Sequence, residues 1–152
     1  MTLPVAILVG GLAMRLRPLT EDIPKALIPI NGKPFIAHQL ELLKSRGISQ
    51  VVICAYYRGD QIEEFAGDGS RFGLKVSFSY DGPEPLGTGG ALRKALPLLG
   101  DEFFVLYGDS YLPIDYSAVE NTFTNSGKDA LMTVFRNRDL GDRSNVRFED
   151  SR

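Results

Sequence analysis

Val5-Ala6-Ile7-Leu8-Val9 is an unbroken apolar run, and Gly10-Gly11 follows it with no residue between. A short run without polar interruption is what a strand shows when helices cover both faces of a parallel sheet. Phe103 to Tyr107 has the same character, so these two strands are expected at the centre. Further strands are expected at Gln50 to Cys54, Leu74 to Tyr80 and Ala130 to Phe135, alternating with segments of helical period. That alternation predicts an α/β fold, a Rossmann-like three-layer sandwich with a mostly parallel central sheet. The common strand order 3-2-1-4 would set the Phe103 strand directly beside the Val5 strand.

The connections support this reading. An Asn31-Gly32 turn leads into a helix with Pro34 at its first position, Ile36, Leu40 and Leu43 on one face, and an end before Gly47. Helices are also expected over Asp60 to Phe65, over Thr88 to Leu96 with Thr88 as N-cap, and over Tyr116 to Thr124. No internal repeat, low-complexity tract or linker interrupts the chain, which reads as a single domain or part of one.

With 152 residues, 43% of them hydrophobic, the chain can close one core but not two. A net charge of -2, from 17 basic and 19 acidic residues, creates no broad positive field for nucleic acid or an anionic membrane. Phosphate binding must therefore be local. The first apolar run has no basic residues before it and ends at glycines, so it matches neither a signal peptide nor a membrane span; a cytoplasmic protein is expected. Cys54 lies in the run Val51-Val52-Ile53-Cys54-Ala55 and reads as a buried core residue. His38 has no second histidine to share a metal and reads as solvated or hydrogen-bonded.

The chemistry concentrates in the loops after the strands. Paired glycines let backbone N–H groups approach a phosphate, and the loop after Gly10-Gly11 supplies Arg15 and, further on, Lys25. Its spacing matches neither the dinucleotide fingerprint nor the P-loop, since no third glycine falls at the right offset. Asp109 follows the Phe103 to Tyr107 strand with only Gly108 between, at the ligand-facing edge of such a sheet. Mg²⁺, arriving with a triphosphate, takes one or two carboxylates plus phosphate oxygens and water, which suits Asp109. A second glycine-rich stretch, Asp81-Gly82-Pro83-Glu84-Pro85-Leu86-Gly87-Thr88-Gly89-Gly90, clears space for another part of a ligand.

The full string LVGGLAMRLRPLTEDIPKALIPINGKPFI, residues 8 to 36, resembles the signature of the sugar-1-phosphate nucleotidyltransferases: a Gly-Gly loop, an Arg-Leu-x-Pro-Leu-Thr run and a Pro-Lys pair. Leu86-Gly87-Thr88-Gly89-Gly90-Ala91 and Tyr107-Gly108-Asp109-Ser110 resemble the members that transfer GMP to mannose 1-phosphate or heptose 1-phosphate. The resemblance runs from Val5 to about Asp150. It implies the nucleotide-diphospho-sugar transferase type of fold, with residues 1–152 as the N-terminal, nucleotide-binding portion of a domain incomplete at its C-terminus. It implies that Leu8, Gly10 and Gly11 hold the nucleotide, that Arg15 stabilises departing pyrophosphate and that Lys25 bridges the α-phosphate and the sugar phosphate. Gly87 and Thr88 fall to the base and ribose, with Asp81 and Gly82 bordering that part of the nucleotide site, and Asp109 falls to Mg²⁺. The partners implied are a nucleoside triphosphate and a sugar 1-phosphate.

Two positions depart from the family pattern. Ala13-Met14 replaces the usual Gly-Thr before the arginine, removing a hydroxyl beside the phosphates, and Ala26 replaces a proline. The family's second metal aspartate and sugar pocket come from later sequence, and Arg143 to Phe148 reads as a strand leading towards it. A cytidylyltransferase acting on a phosphorylated alcohol such as phosphocholine, and a non-catalytic nucleotide-binding module, are the alternatives. The residues leave open the base, the sugar and whether the chain forms a homo-oligomer.

Overall fold

The computed structural model describes residues 2–11, 16, 18, 21–138, 143 and 146–148. Two compact units divide the chain, residues 1–116 and 117–152.

The first unit is built on a four-stranded parallel sheet: β1 (Val5–Val9), β4 (Gln50–Ala55), β5 (Lys75–Tyr80) and β6 (Phe104–Tyr107), in the order β5-β4-β1-β6. The expected adjacency of β1 and β6 is therefore present, but β6 is not central: among the described residues it is an edge strand, and Val105 and Tyr107 on one of its faces are exposed because no described helix covers them. The chain steps outward from β1 to β4 to β5, then returns to the other side of β1, so the topological switch point lies between β1 and β6.

Strand alternation divides the core. Val5 and Ile7 of β1 and Val51, Ile53 and Ala55 of β4 face one side, where Ile36, Leu40 and Leu43 of α1 (Phe35–Ser45) and Ile62 and Ala66 of α2 (Gly59–Ala66) cover them. Ala6, Val52 and Cys54 face the other side against Ala91, Ala95 and Leu99 of α3 (Gly87–Leu99). Small residues on both partners let α3 lie close to the sheet. Both faces are buried, which is why β1 and β4 carry no polar alternation.

Between β1 and α1 a short antiparallel ribbon, β2 (Pro29–Ile30) and β3 (Lys33–Pro34), closes through Asn31 and Gly32. Both turn residues have positive φ, 50° and 76°, the requirement of a two-residue type I′ hairpin. Pro34, expected as the first helical residue, instead ends β3 and caps α1, which starts one residue later at Phe35, because the Pro34 ψ of 140° is extended. His38 Nε2 donates to the Ile30 carbonyl at 2.9 Å, the hydrogen-bonded role expected for it.

Three expectations need correction or restriction. Thr88 is not the N-cap of α3: the helix starts at Gly87, with Leu86 at the cap and no side-chain capping bond. Residues 130–135 form no strand; Met132 and Phe135 are 69% and 82% exposed, and no neighbouring ladder pairs with them among the described residues. Residues 143 and 146–148 carry no strand either, while 144 and 145 lie outside the described residues. In the second unit, α4 (Tyr116–Ser126) continues from the first unit's last residue and ends at Gly127, whose φ is 60°.

Candidate active site

In a parallel sheet every strand ends at the same edge, and register decides which loops meet there. Leu8 pairs with Tyr107 and Val9 with Ala55, so Gly10-Gly11, Gly108-Asp109 and the start of the β4–α2 loop leave the sheet side by side. Gly108 makes the first approach possible. Its N–H donates to the Leu8 carbonyl at 2.9 Å, and a Cβ there would lie 2.5 Å from Val9 Cγ1 and 2.7 Å from Leu8 O. No side chain fits.

A cleft of about 400 Å³ opens at this edge. Leu8, Gly10 and Gly11 form one wall, Gly87 and Thr88 at the start of α3 a second, and Gly108 and Asp109 a third. Cys54 and Ala91 line it as well. Lys25 enters from the short 3₁₀ turn Lys25–Leu27, whose Ala26 is buried and anchors it in the core. Across the cleft, Lys25 Nζ donates to Asp109 Oδ2 at 2.7 Å, joining residues from opposite ends of the first unit. The hydrogen bond from the lysine, and after it the lysine's charge, hold the Asp109 carboxyl below its usual range.

Asp81 lies at 8% exposure beneath the same cleft. Its N–H donates to Ala55 O, and its Oδ2 accepts the Leu86 N–H at 2.9 Å, so the carboxylate closes the loop that presents Gly87 and Thr88. Lys94 Nζ donates to the Asp81 carbonyl at 3.1 Å. Gly82 is not on the cleft lining; its φ of 112° turns the chain away from β5. Arg15, with Ala13 and Met14, lies outside the described residues.

The far end of the long loop is fastened by residues the sequence reading passed over. Tyr57 Oη and Arg58 Nη2 donate to the Glu21 carbonyl at 3.1 and 2.7 Å, and Gln61 Nε2 to that of Asp22 at 3.1 Å. Arg58 adopts a φ of 51°, unusual for a residue with a Cβ. Gln39 was also missed. It shares the inward face of α1 with Ile36 and Leu43, where a polar residue on an apolar stripe is the readable signal.

A single open carboxylate, a lysine and two glycine-rich backbone segments around one cleft suit a polyphosphate and a divalent cation whose remaining ligands are phosphate and water. A family model described as "Nucleotidyl transferase" matches residues 5–143. The chain belongs to this family, the sugar-1-phosphate nucleotidyltransferases. This nucleotidyl transferase chain is 41% identical over 114 residues to D-glycero-alpha-D-manno-heptose 1-phosphate guanylyltransferase of Campylobacter jejuni, covering 75% of the chain and 51% of the relative. It is 42% identical over 120 residues to N-acetylmuramate alpha-1-phosphate uridylyltransferase of Neisseria meningitidis, covering 76% and 51%. The crystal structure of HddC from Yersinia pseudotuberculosis complexed with GMP-PN superposes with a TM-score of 0.71 at 35% identity, over 80% of this chain and 54% of that one. The nucleotidyl transferase chain thus spans about half the length of these relatives.

Proposed function

We propose that the chain carries the nucleotide- and phosphate-binding part of a cytoplasmic enzyme that transfers a nucleoside monophosphate from a nucleoside triphosphate to a sugar 1-phosphate, releasing pyrophosphate. The observation that carries this reading is the convergence of Gly10-Gly11, the Lys25–Asp109 pair and Gly87-Thr88 on one cleft. The names of the relatives support the substrate class, and two of those cited here differ in the nucleotide they use.

The reaction is in-line attack by a sugar-1-phosphate oxygen on the α-phosphorus, which needs no covalent intermediate. Its demands are alignment of the two reactants and neutralisation of charge spreading over phosphate oxygens. Gly10 and Gly11 put no side chain between their backbone N–H groups and the phosphates. Lys25 supplies positive charge where the attacking and attacked phosphates meet, and Arg15 in the same loop supplies it to the departing pyrophosphate. Thr88 and Gly87 face the nucleoside. Asp109 would hold Mg²⁺, which when bound would neutralise phosphate charge, and Lys25, now paired with Asp109, would be placed to meet a phosphate oxygen. Among the described residues no helix is long and apolar enough to cross a membrane.

The test is pyrophosphate release from the chain with Mg²⁺, nucleoside triphosphates and a panel of sugar 1-phosphates. An active pair supports the transferase and names both substrates, and Lys25→Ala should then lower turnover by about two orders of magnitude, the usual loss when a transition-state charge partner is removed. Product formed from phosphocholine and CTP instead would overturn the sugar reading. Nucleotide binding with no release from any pair would leave a binding module.

A further inference from the structure

We infer that Gln39 is a positioning residue that sets where the Asp109 carboxylate stands. The inference rests on the functional reading above only for its consequence. Gln39 is 1% exposed on the inward face of α1, yet its amide reaches the loop after β6. Nε2 donates to Tyr107 O at 3.1 Å and to Ser110 O at 2.7 Å, the two carbonyls that bracket Gly108-Asp109. Ser110 N also donates to Tyr107 O at 3.0 Å, closing the turn on itself, and Gly108 N ties it to β1. Both carbonyls can only accept, so the NH₂ group must face them and the amide orientation is dictated.

That orientation leaves Gln39 Oε1 buried with no hydrogen-bond partner among the described residues. An unsatisfied buried acceptor costs about 1–3 kcal/mol, a cost that an apolar side chain of equal size would not carry. Packing alone therefore does not account for glutamine here. What the amide contributes is geometry: one rigid donor on a core helix gathers two carbonyls of the turn, leaving Asp109 little freedom except at its side chain. The carboxylate accordingly stands 2.7 Å from Lys25 at the mouth of the cleft. Gln39 itself does not line the cleft and touches no substrate, so its action runs through the backbone of the turn.

The experiment compares the chain with Gln39→Met, which keeps length and volume but loses both donors, and with Leu40→Ala, which weakens the same helix face without touching the turn. Amide hydrogen exchange and titration with Mn²⁺ alone are the readouts. The expected result for Gln39→Met is exchange at Gly108 and Ser110, whose N–H groups are bonded in the turn, faster by about tenfold while β4 amides keep wild-type protection. Mn²⁺ affinity should fall by about tenfold, the scale set by other residues that orient a metal ligand. Leu40→Ala should loosen β4 with no selective effect at the turn, which Gln39 still holds, and leave Mn²⁺ affinity near wild type. Unchanged exchange at the turn in Gln39→Met, or a rise there no greater than in β4, overturns the inference. Should Gln39→Met fail to fold, Gln39→Asn, one methylene too short to reach both carbonyls, takes the same measurements. Wild-type chain that binds no Mn²⁺ would count against the functional assignment of Asp109, and the exchange result alone would then decide the role of Gln39.

Discussion

Burial of Cys54 to 2% exposure between the sheet and α3 pushes its thiol up to about 11, through lost solvation first and the charge of Asp81 second. A thiol raised in the folded state contributes stability that is fully present below its unfolded pKa and is lost as pH rises through the folded value. Between pH 9 and 11 the chain should therefore lose about 2 kcal/mol relative to Cys54→Ala, measured as diverging urea midpoints. Native alkylation at pH 8 should likewise be slower than in denaturant by about two orders of magnitude. Gly108 makes a different demand, for space. Gly108→Ala drives a methyl group into Val9 and the Leu8 carbonyl, and should destabilise by about 1–3 kcal/mol in urea unfolding while displacing Asp109. The residue type at both positions was readable: a cysteine in an apolar run predicts burial, and a Gly-Asp after a strand predicts a turn. That the glycine is required by contact with β1 depends on pairing across the sheet, which no local pattern contains.

The same contrast recurs among the elements. β1 and β4 were legible because both their faces are buried, so their composition is apolar whatever lies above or below. β6 was legible from the same apolar composition, although Val105 and Tyr107 on one of its faces are exposed. The Asn31-Gly32 hairpin was legible as a turn because these two residue types tolerate positive φ; its two flanking ribbon strands were not, being only two residues each. Thr88 looked like a cap by residue type, yet Asp81, further back, captures the Leu86 N–H and starts the helix a residue earlier. Residues 130–135 have strand composition, but a strand exists only when another pairs with it. α3 lies close to the sheet because Ala91 and Ala95 face Ala6 and Val52. Ala95→Leu should accordingly cost about 1–3 kcal/mol by overpacking, read from thermal or urea unfolding, and should also tilt the α3 end that lines the cleft.

At the scale of the molecule, a net charge of -2 leaves no general attraction for polyphosphate, so affinity has to come from a local site such as the cleft where Lys25 meets Gly10-Gly11. A nucleoside triphosphate with Mg²⁺ should raise the melting temperature, since ligand at about a hundred times its dissociation constant adds about 2.7 kcal/mol. Asp109→Asn should shrink that increment while leaving the unliganded melting temperature within a few degrees, because Asp109 is exposed and its ion pair with Lys25 is solvent-screened. The amino-acid sequence by itself determined the α/β class, the parallel strands and the family, because these follow from hydrophobic period, turn chemistry and a contiguous motif. Only the tertiary structure decided that Lys25 meets Asp109, that Asp81 closes the loop below Thr88, that Gly82 stays off the cleft and that Gln39 holds the Asp109 turn. Each of those depends on which strands lie adjacent and in what register, a property of the whole sheet that no single segment of the chain encodes.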